Sequence, residues 1–181
     1  MAAPGKRRSA TVTAVVMVAG SLAWVAGISM TGLEGARGFF GLGPLIADAN
    51  LILEIFLVAG LTYGFLLARR GDIDAHQVNQ TTWVILNIGL IALIMAGSMQ
   101  DVGVSSTRDL ASWRVGVTWL HAAVGTLTAL AGLWIVLQMN DVVPRGLHVP
   151  WWRNLMRATL AGYWLTALFG FATYYFWYIV A

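Results

Sequence analysis

Two ionisable side chains stand inside long apolar runs, Glu54 in the run that starts at Asn50 and His121 in the run that starts at Val117. An ionisable group in hydrocarbon is costly and needs a partner, so each is a candidate for chemistry. Both lie about four positions from the same end of their runs, a depth of roughly 6 Å at about 1.5 Å per helical residue. At matched depth the carboxylate would orient the imidazole and raise its proton affinity. Such a pair reads either as a polar contact that sets helix packing or as a site for a proton or a metal ion.

Methionines extend the metal reading: Met30 ends the first apolar run, and Met95 and Met99 lie one turn apart near the end of the third. Thioether and imidazole together suit Cu(I), which makes Glu54, His121, Met95 and Met99 the candidate metal set. Methionine is also an ordinary gap-filler, and no Met-x-Met or His-x-His pattern accompanies these residues. The other two histidines, His76 in "RRGDIDAHQVNQTT" and His148 in "VPRGLHVPWWRN", read as loop residues on the opposite side from His121. Haem held by two imidazoles needs them at one depth around one iron, so of the three histidines only His76 and His148 could share a b-type haem. The plainer reading of both is contact with solvent or headgroups. A polar group at Asn79, Gln80, Thr81, Thr82 and Asn87 could cap the third helix, bond to its neighbours or line a proton path.

Other chemistries are not indicated. Without cysteine there is no disulfide, thiolate metal site or CxxC centre. No hydrolase elbow, H-E-x-x-H helix or Ser/His/Asp set occurs, so catalysis by the chain alone is not expected. The Gly-rich "GARGFFGLGP" lacks the Lys-Ser/Thr step of a phosphate loop, and its Phe39 and Phe40 suggest an interfacial or re-entrant piece. The net charge of +3 comes from short basic clusters between apolar runs, a pattern of membrane orientation and not of nucleic-acid binding.

The elements that must position these residues are membrane helices. At 59% hydrophobic and 10% charged, a chain of 181 residues has too little polar surface for a soluble fold. Runs long enough to cross a core of about 30 Å recur along it. We expect an all-α fold with spans at Val12–Met30, Asn50–Ala68, Thr82–Met99, Val117–Met139 and Arg157–Val180. The first run follows Lys6, Arg7 and Arg8 but exceeds a signal-peptide core and lacks an A-x-A cleavage site, so it reads as a span. One set of loops holds Lys6, Arg7, Arg8, Arg69, Arg70, Arg145, Arg153 and Arg157, the other only Arg37, Arg108 and Arg114. Basic residues resist translocation, which places the N-terminus inside and the C-terminus outside, where Tyr174, Tyr175, Trp177 and Tyr178 suit an aromatic belt. Small residues at helical spacing, Ala122, Gly125, Ala129 and Gly132 on the fourth span and Gly162, Thr166 and Gly170 on the fifth, predict that these two helices meet.

Three local patterns resemble the YozB/CtaM-like family of small bacterial membrane proteins. They are Arg70-Gly71 followed by Ala75-His76, His121 near the start of the fourth span, and "TALFGFATYYFWY" with Thr166, Ala167, Gly170, Ala172, Tyr174 and Tyr178 at the family's spacing. The resemblance implies a four-helix membrane domain over residues 50–181, preceded here by a helix and Gly-rich loop at 1–49. Trp152-Arg153 stands where the family has His-Arg. It further implies a protein of the bacterial cytoplasmic membrane that assists or accompanies a respiratory terminal oxidase. Its partners would be the lipid bilayer and other subunits of that complex, with haem or copper as the cofactors concerned and His76 and His121 as the positions carried over. Two other readings stay open: electron transfer through a haem on His76 and His148, and small proton-linked transport through Glu54 and His121.

The orientation has a direct test, since a cysteine can be placed anywhere in a cysteine-free chain. A cysteine at Gly35 is expected to react with an impermeant reagent added to intact cells and one at Gly71 to be protected; the opposite pattern would invert the topology.

Overall fold

The computed structural model of the chain describes residues 4–95, 102 and 106–180, and every named element within them is helical. The long helices are α1 (Pro4–Met30), α2 (Leu45–Arg69), α3 (Ile73–Leu90, carried on by a π turn over Ile91–Met95), α5 (Trp113–Met139) and α6 (Trp152–Tyr178). A single-turn α4 (Thr107–Leu110) precedes α5. Met99, the predicted end of the third span, lies outside the described residues, and of Lys6, Arg7 and Arg8 only the helical backbone is described.

Three stretches, Leu45–Arg69, Ile73–Met95 and Trp113–Met139, are long and apolar enough to cross a membrane. In α6 the interleaved Gly, Thr, Tyr and Trp lower the hydropathy below that of the other three, and the apolar part of α1, Val18–Met30, is shorter. At most 33% of the apolar window of each of the three spans is buried within the protein. Their outer faces carry side chains such as Phe56, Leu127 and Leu130, each more than half exposed. Apolar surface on that scale suits lipid as the surroundings, and points to a multi-pass membrane protein.

Four helices close a ring in which α2 packs on α3, α3 on α5, α5 on α6, and α6 back on α2. Helix α1 lies outside the ring against α3 and, less extensively, α2. Leu53, Leu57 and Leu61 of α2, Trp83, Leu86 and Leu90 of α3, Val136 of α5 and Tyr163 of α6 form its apolar core, with Val25 of α1 joining from outside.

The hairpin between α2 and α3 departs from the sequence expectation. Gly71 takes the left-handed conformation (φ 80°) that a side chain would disfavour. The N–H groups of Gly71 and Asp72 return to the carbonyls of Ala68 and Leu67, both at 3.1 Å, which closes α2 in a Schellman turn. Asp72 then caps α3 by accepting from the Ala75 N–H at 3.2 Å. So α3 begins at Ile73 and not at Thr82, and His76 is a buried helical residue instead of a loop residue. The polarity of this stretch argued for a loop, but its side chains are engaged on α2. His76 Nδ1–H donates to the Gly64 carbonyl at 2.7 Å, Asn79 to Gly60 at 2.8 Å and Gln80 to Leu61 at 3.0 Å.

Close approach makes those bonds reachable. The indole of Trp83 lies directly on Gly60, in the space that a Cβ would need. The small faces of the fourth and fifth predicted spans also meet, with Gly125 against Thr166 and Gly162 against Thr128. Replacing Gly60 by Leu is expected to push Trp83 aside and lower stability by about 1–3 kcal/mol, as overpacking does. Thermal unfolding in detergent checks this against Gly35→Ala, a site with open space around it, which should leave the transition unchanged.

Candidate functional site

The helical period brings one stripe of each ring helix to a central cavity of about 430 Å³, toward the end where α2 begins and α6 finishes. Asn50, Glu54 and Leu57 come from α2; Asn87, Leu90 and Met95 from α3; Thr118 and His121 from α5; Tyr163, Thr166, Gly170 and Thr173 from α6. The walls are mostly apolar with a few converging polar groups, the usual composition of a ligand site.

Glu54 is 6% exposed, and its carboxyl rests against Gly170, where any side chain would overlap both oxygens. Among the described residues it has no hydrogen-bond or ion-pair partner. His121 is half-buried and donates Nδ1–H to the carbonyl of Thr166 at 3.0 Å. A carbonyl only accepts, so this bond puts the proton on Nδ1 and leaves a lone pair on Nε2 of the neutral ring. Locking one ring nitrogen on a backbone carbonyl is the arrangement that orients an imidazole for a ligand on the other. Two further oxygens in the same walls, Asn50 Oδ1 and Thr173 Oγ1, are buried without a hydrogen bond among the described residues.

The run lengths imply one depth for Glu54 and His121, but their contacts on α6, Gly170 and the Thr166 carbonyl, are offset by one turn, roughly 6 Å along the helix axis. The expected direct hydrogen bond between them is absent: the close α5–α6 contact brings the Thr166 carbonyl to the imidazole, while α2 stands across the cavity. Met95 lines the same cavity, Met99 lies outside the described residues, and Met30 is exposed at the end of α1. The structure therefore gathers Glu54, His121 and Met95 around one space. Among the described residues no cluster of three His, Asp or Glu side chains forms.

His76 belongs to a second, smaller cavity of about 70 Å³ at the other end of the ring, lined also by Gln80, Thr81, Thr159 and Tyr163. His148 does not line it. That imidazole is half-buried in the segment before α6 and donates Nε2–H to Val143 at 2.9 Å. His76 and His148 thus sit in separate surroundings, and 70 Å³ is far below the roughly 300–1,000 Å³ of ordinary ligand pockets.

Sequence reading missed Asp48. Because α2 begins at Leu45 instead of Asn50, this residue moves from the predicted loop into the first turn, where it is fully buried. One carboxylate oxygen accepts from the Tyr174 hydroxyl; the other accepts from the N–H groups of Phe39 and Phe40, the latter at 2.9 Å. Together with the Arg37–Pro44 pairing and a bond from Leu42 N–H to the Tyr178 carbonyl at 3.2 Å, this folds the Gly-rich loop over the ends of α2 and α6. Tyr174 and Tyr178 also line the large cavity, so the clamp holds its loop-side end. Pro44 just before an acidic first turn is the helix-start signal that would have placed Asp48.

Comparison of the chain with the models of known protein families, with curated proteins and with solved structures gives no match.

Asp48→Ala leaves three donors without their acceptor, at about 1–3 kcal/mol for each one that stays dry. It is expected to destabilise the protein in detergent clearly more than Tyr174→Phe, which removes one bond. It should also speed tryptic cleavage after Arg37; equal stability and equal cleavage would show that the clamp does not hold the loop.

Proposed function

We propose that the chain is a five-span protein of the bacterial cytoplasmic membrane, N-terminus inside and C-terminus outside, and that its central cavity holds a small group between Glu54 and His121. In this reading it has no catalytic activity of its own. It serves as an assembly factor or accessory subunit of a respiratory terminal oxidase or a related electron-transport complex. The observation that carries the site is the convergence of a buried Glu54 carboxyl, without a partner among the described residues, and a Nδ1-anchored His121 on one cavity of about 430 Å³. The respiratory context is supported by the resemblance of the Arg70–His76, His121 and Thr166–Tyr178 patterns to the YozB/CtaM-like family.

Of the groups that resemblance implies, a single copper ion suits the donors better than haem. His121 Nε2, the Met95 thioether and the Glu54 carboxylate supply the mixed soft and borderline set that Cu(I) accepts, and the ion would provide one-electron chemistry to a partner. A haem bridged by His76 and His148 does not fit their separate placement. The inner polar network has a structural role: Gln77 reaches the Met139 carbonyl at 3.0 Å, and Gln138 accepts from Val149 N–H at 2.8 Å, tying the non-loop ends of α3, α5 and the chain before α6.

The protein purified in mild detergent is expected to carry copper, to lose it in His121→Ala, and to bring down oxidase subunits; its deletion should lower oxidase metal content and activity. Metal analysis and an absorption spectrum check the first part. Absence of both copper and a Soret band, with an oxidase indifferent to the deletion, would end this reading.

A further inference from the structure

Helices α2 and α6 run in opposite directions, and their seam is joined by a bond from the Trp164 indole N–H to the Thr62 hydroxyl at 3.2 Å. Arg69 lies seven residues beyond Thr62 on α2, and Arg157 lies seven residues before Trp164 on α6. Seven residues make about two turns, so each arginine keeps to the face of the residue that makes the bond. Both stand roughly 10 Å further toward the end away from the Gly-rich loop. Arg153, eleven residues before Trp164, falls on the same face of α6 one turn beyond Arg157. Register thus brings three guanidinium groups to one end of one seam.

All three arginines are exposed, and among the described residues none has an ion-pair partner. The first turn of α6 holds no acidic residue, and Asp72, in the hairpin after Arg69, is taken up in capping α3. Arg153 lies over the ring of Trp152, 5.2 Å from its centroid, a cation–π contact that orders its head. Along the seam from the arginines toward Trp164 the surface turns apolar: Phe65, Leu66 and Trp164 are each more than a third exposed. A strip that is cationic at one end and apolar along the rest has the polarity of a phospholipid lying on a helix pair. Guanidinium matches phosphate with paired hydrogen bonds, and basic pockets between membrane helices take anionic headgroups.

We propose that the α2–α6 seam binds one anionic phospholipid, its headgroup phosphate among Arg69, Arg153 and Arg157 and an acyl chain along Phe65, Leu66 and Trp164. A zwitterionic lipid fits less well, because its own cation meets the three arginines. The site uses neither cavity and is independent of the group proposed between Glu54 and His121.

Native mass spectrometry of the full chain in detergent, titrated with phosphatidylglycerol or with phosphatidylcholine of the same acyl chains, tests this. One phosphatidylglycerol is expected to bind about tenfold or more tighter than phosphatidylcholine. Arg69→Gln and Arg157→Gln should each weaken it about fivefold, the loss that one surface guanidinium implies. Arg108→Gln, before α5 at the other end of the ring, should leave it unchanged. Where one seam variant loses helix content the other decides, and Arg153→Gln decides where both do. Equal binding of the two lipids, or wild-type affinity in a seam variant that retains the fold, overturns the proposal. So does free glycerol phosphate binding as tightly as the lipid, which would make the seam a site for soluble phosphate. Copper content of the same samples is expected to match wild type in every variant, so this proposal and the metal reading fail separately.

Discussion

Hydrocarbon offers no hydrogen bonds, so a bundle immersed in it must satisfy its polar groups from within. That constraint organises most of what the ring contains. The polar start of α3 is tolerated because His76, Asn79 and Gln80 each find a carbonyl on α2, and α2 can come near enough only because Gly60 leaves room for Trp83. The same logic operates at the loop end, where the buried carboxylate of Asp48 accepts from Tyr174 and from two backbone amides. Association of helices in lipid relies on fit and on such polar contacts, since burial of apolar surface drives little when the surroundings are themselves apolar.

Against that background the large cavity is the exception. Four helices that pack closely at their glycines and threonines separate enough around Glu54 and His121 to leave about 430 Å³, and the polar atoms left unsatisfied among the described residues belong to this space or to the smaller one below Tyr163. Violations of packing and of hydrogen-bond satisfaction tend to collect where a protein does its work. Here they fall on one axis through the ring.

The α5–α6 pair shows how packing and chemistry are tied. Gly125 against Thr166 and Gly162 against Thr128 draw the two helices together, which brings the Thr166 carbonyl to His121 and fixes the proton on Nδ1. One turn further along, Gly170 leaves the hollow in which the Glu54 carboxyl sits. The glycines that read as helix-contact residues therefore also set the position of both ionisable groups.

Much of this was legible in the chain alone. Apolar runs show the long helices because hydropathy is a property of residues taken in order, and the isolated Glu54 and His121 stand out because charge in such runs is rare. Small residues at helical spacing marked the α5–α6 contact for the same reason. What the order of residues leaves undecided is which polar groups satisfy one another. Asp74–Thr81 looked like a loop until α2 supplied the acceptors, His76 and His148 could have shared one haem until the fold put them in separate surroundings, and Asp48 drew no notice in the Gly-rich loop until Tyr174 and that loop closed over it. A side chain's polarity is local, but whether it is paid back by a partner is decided across the bundle, and only the tertiary structure holds that information.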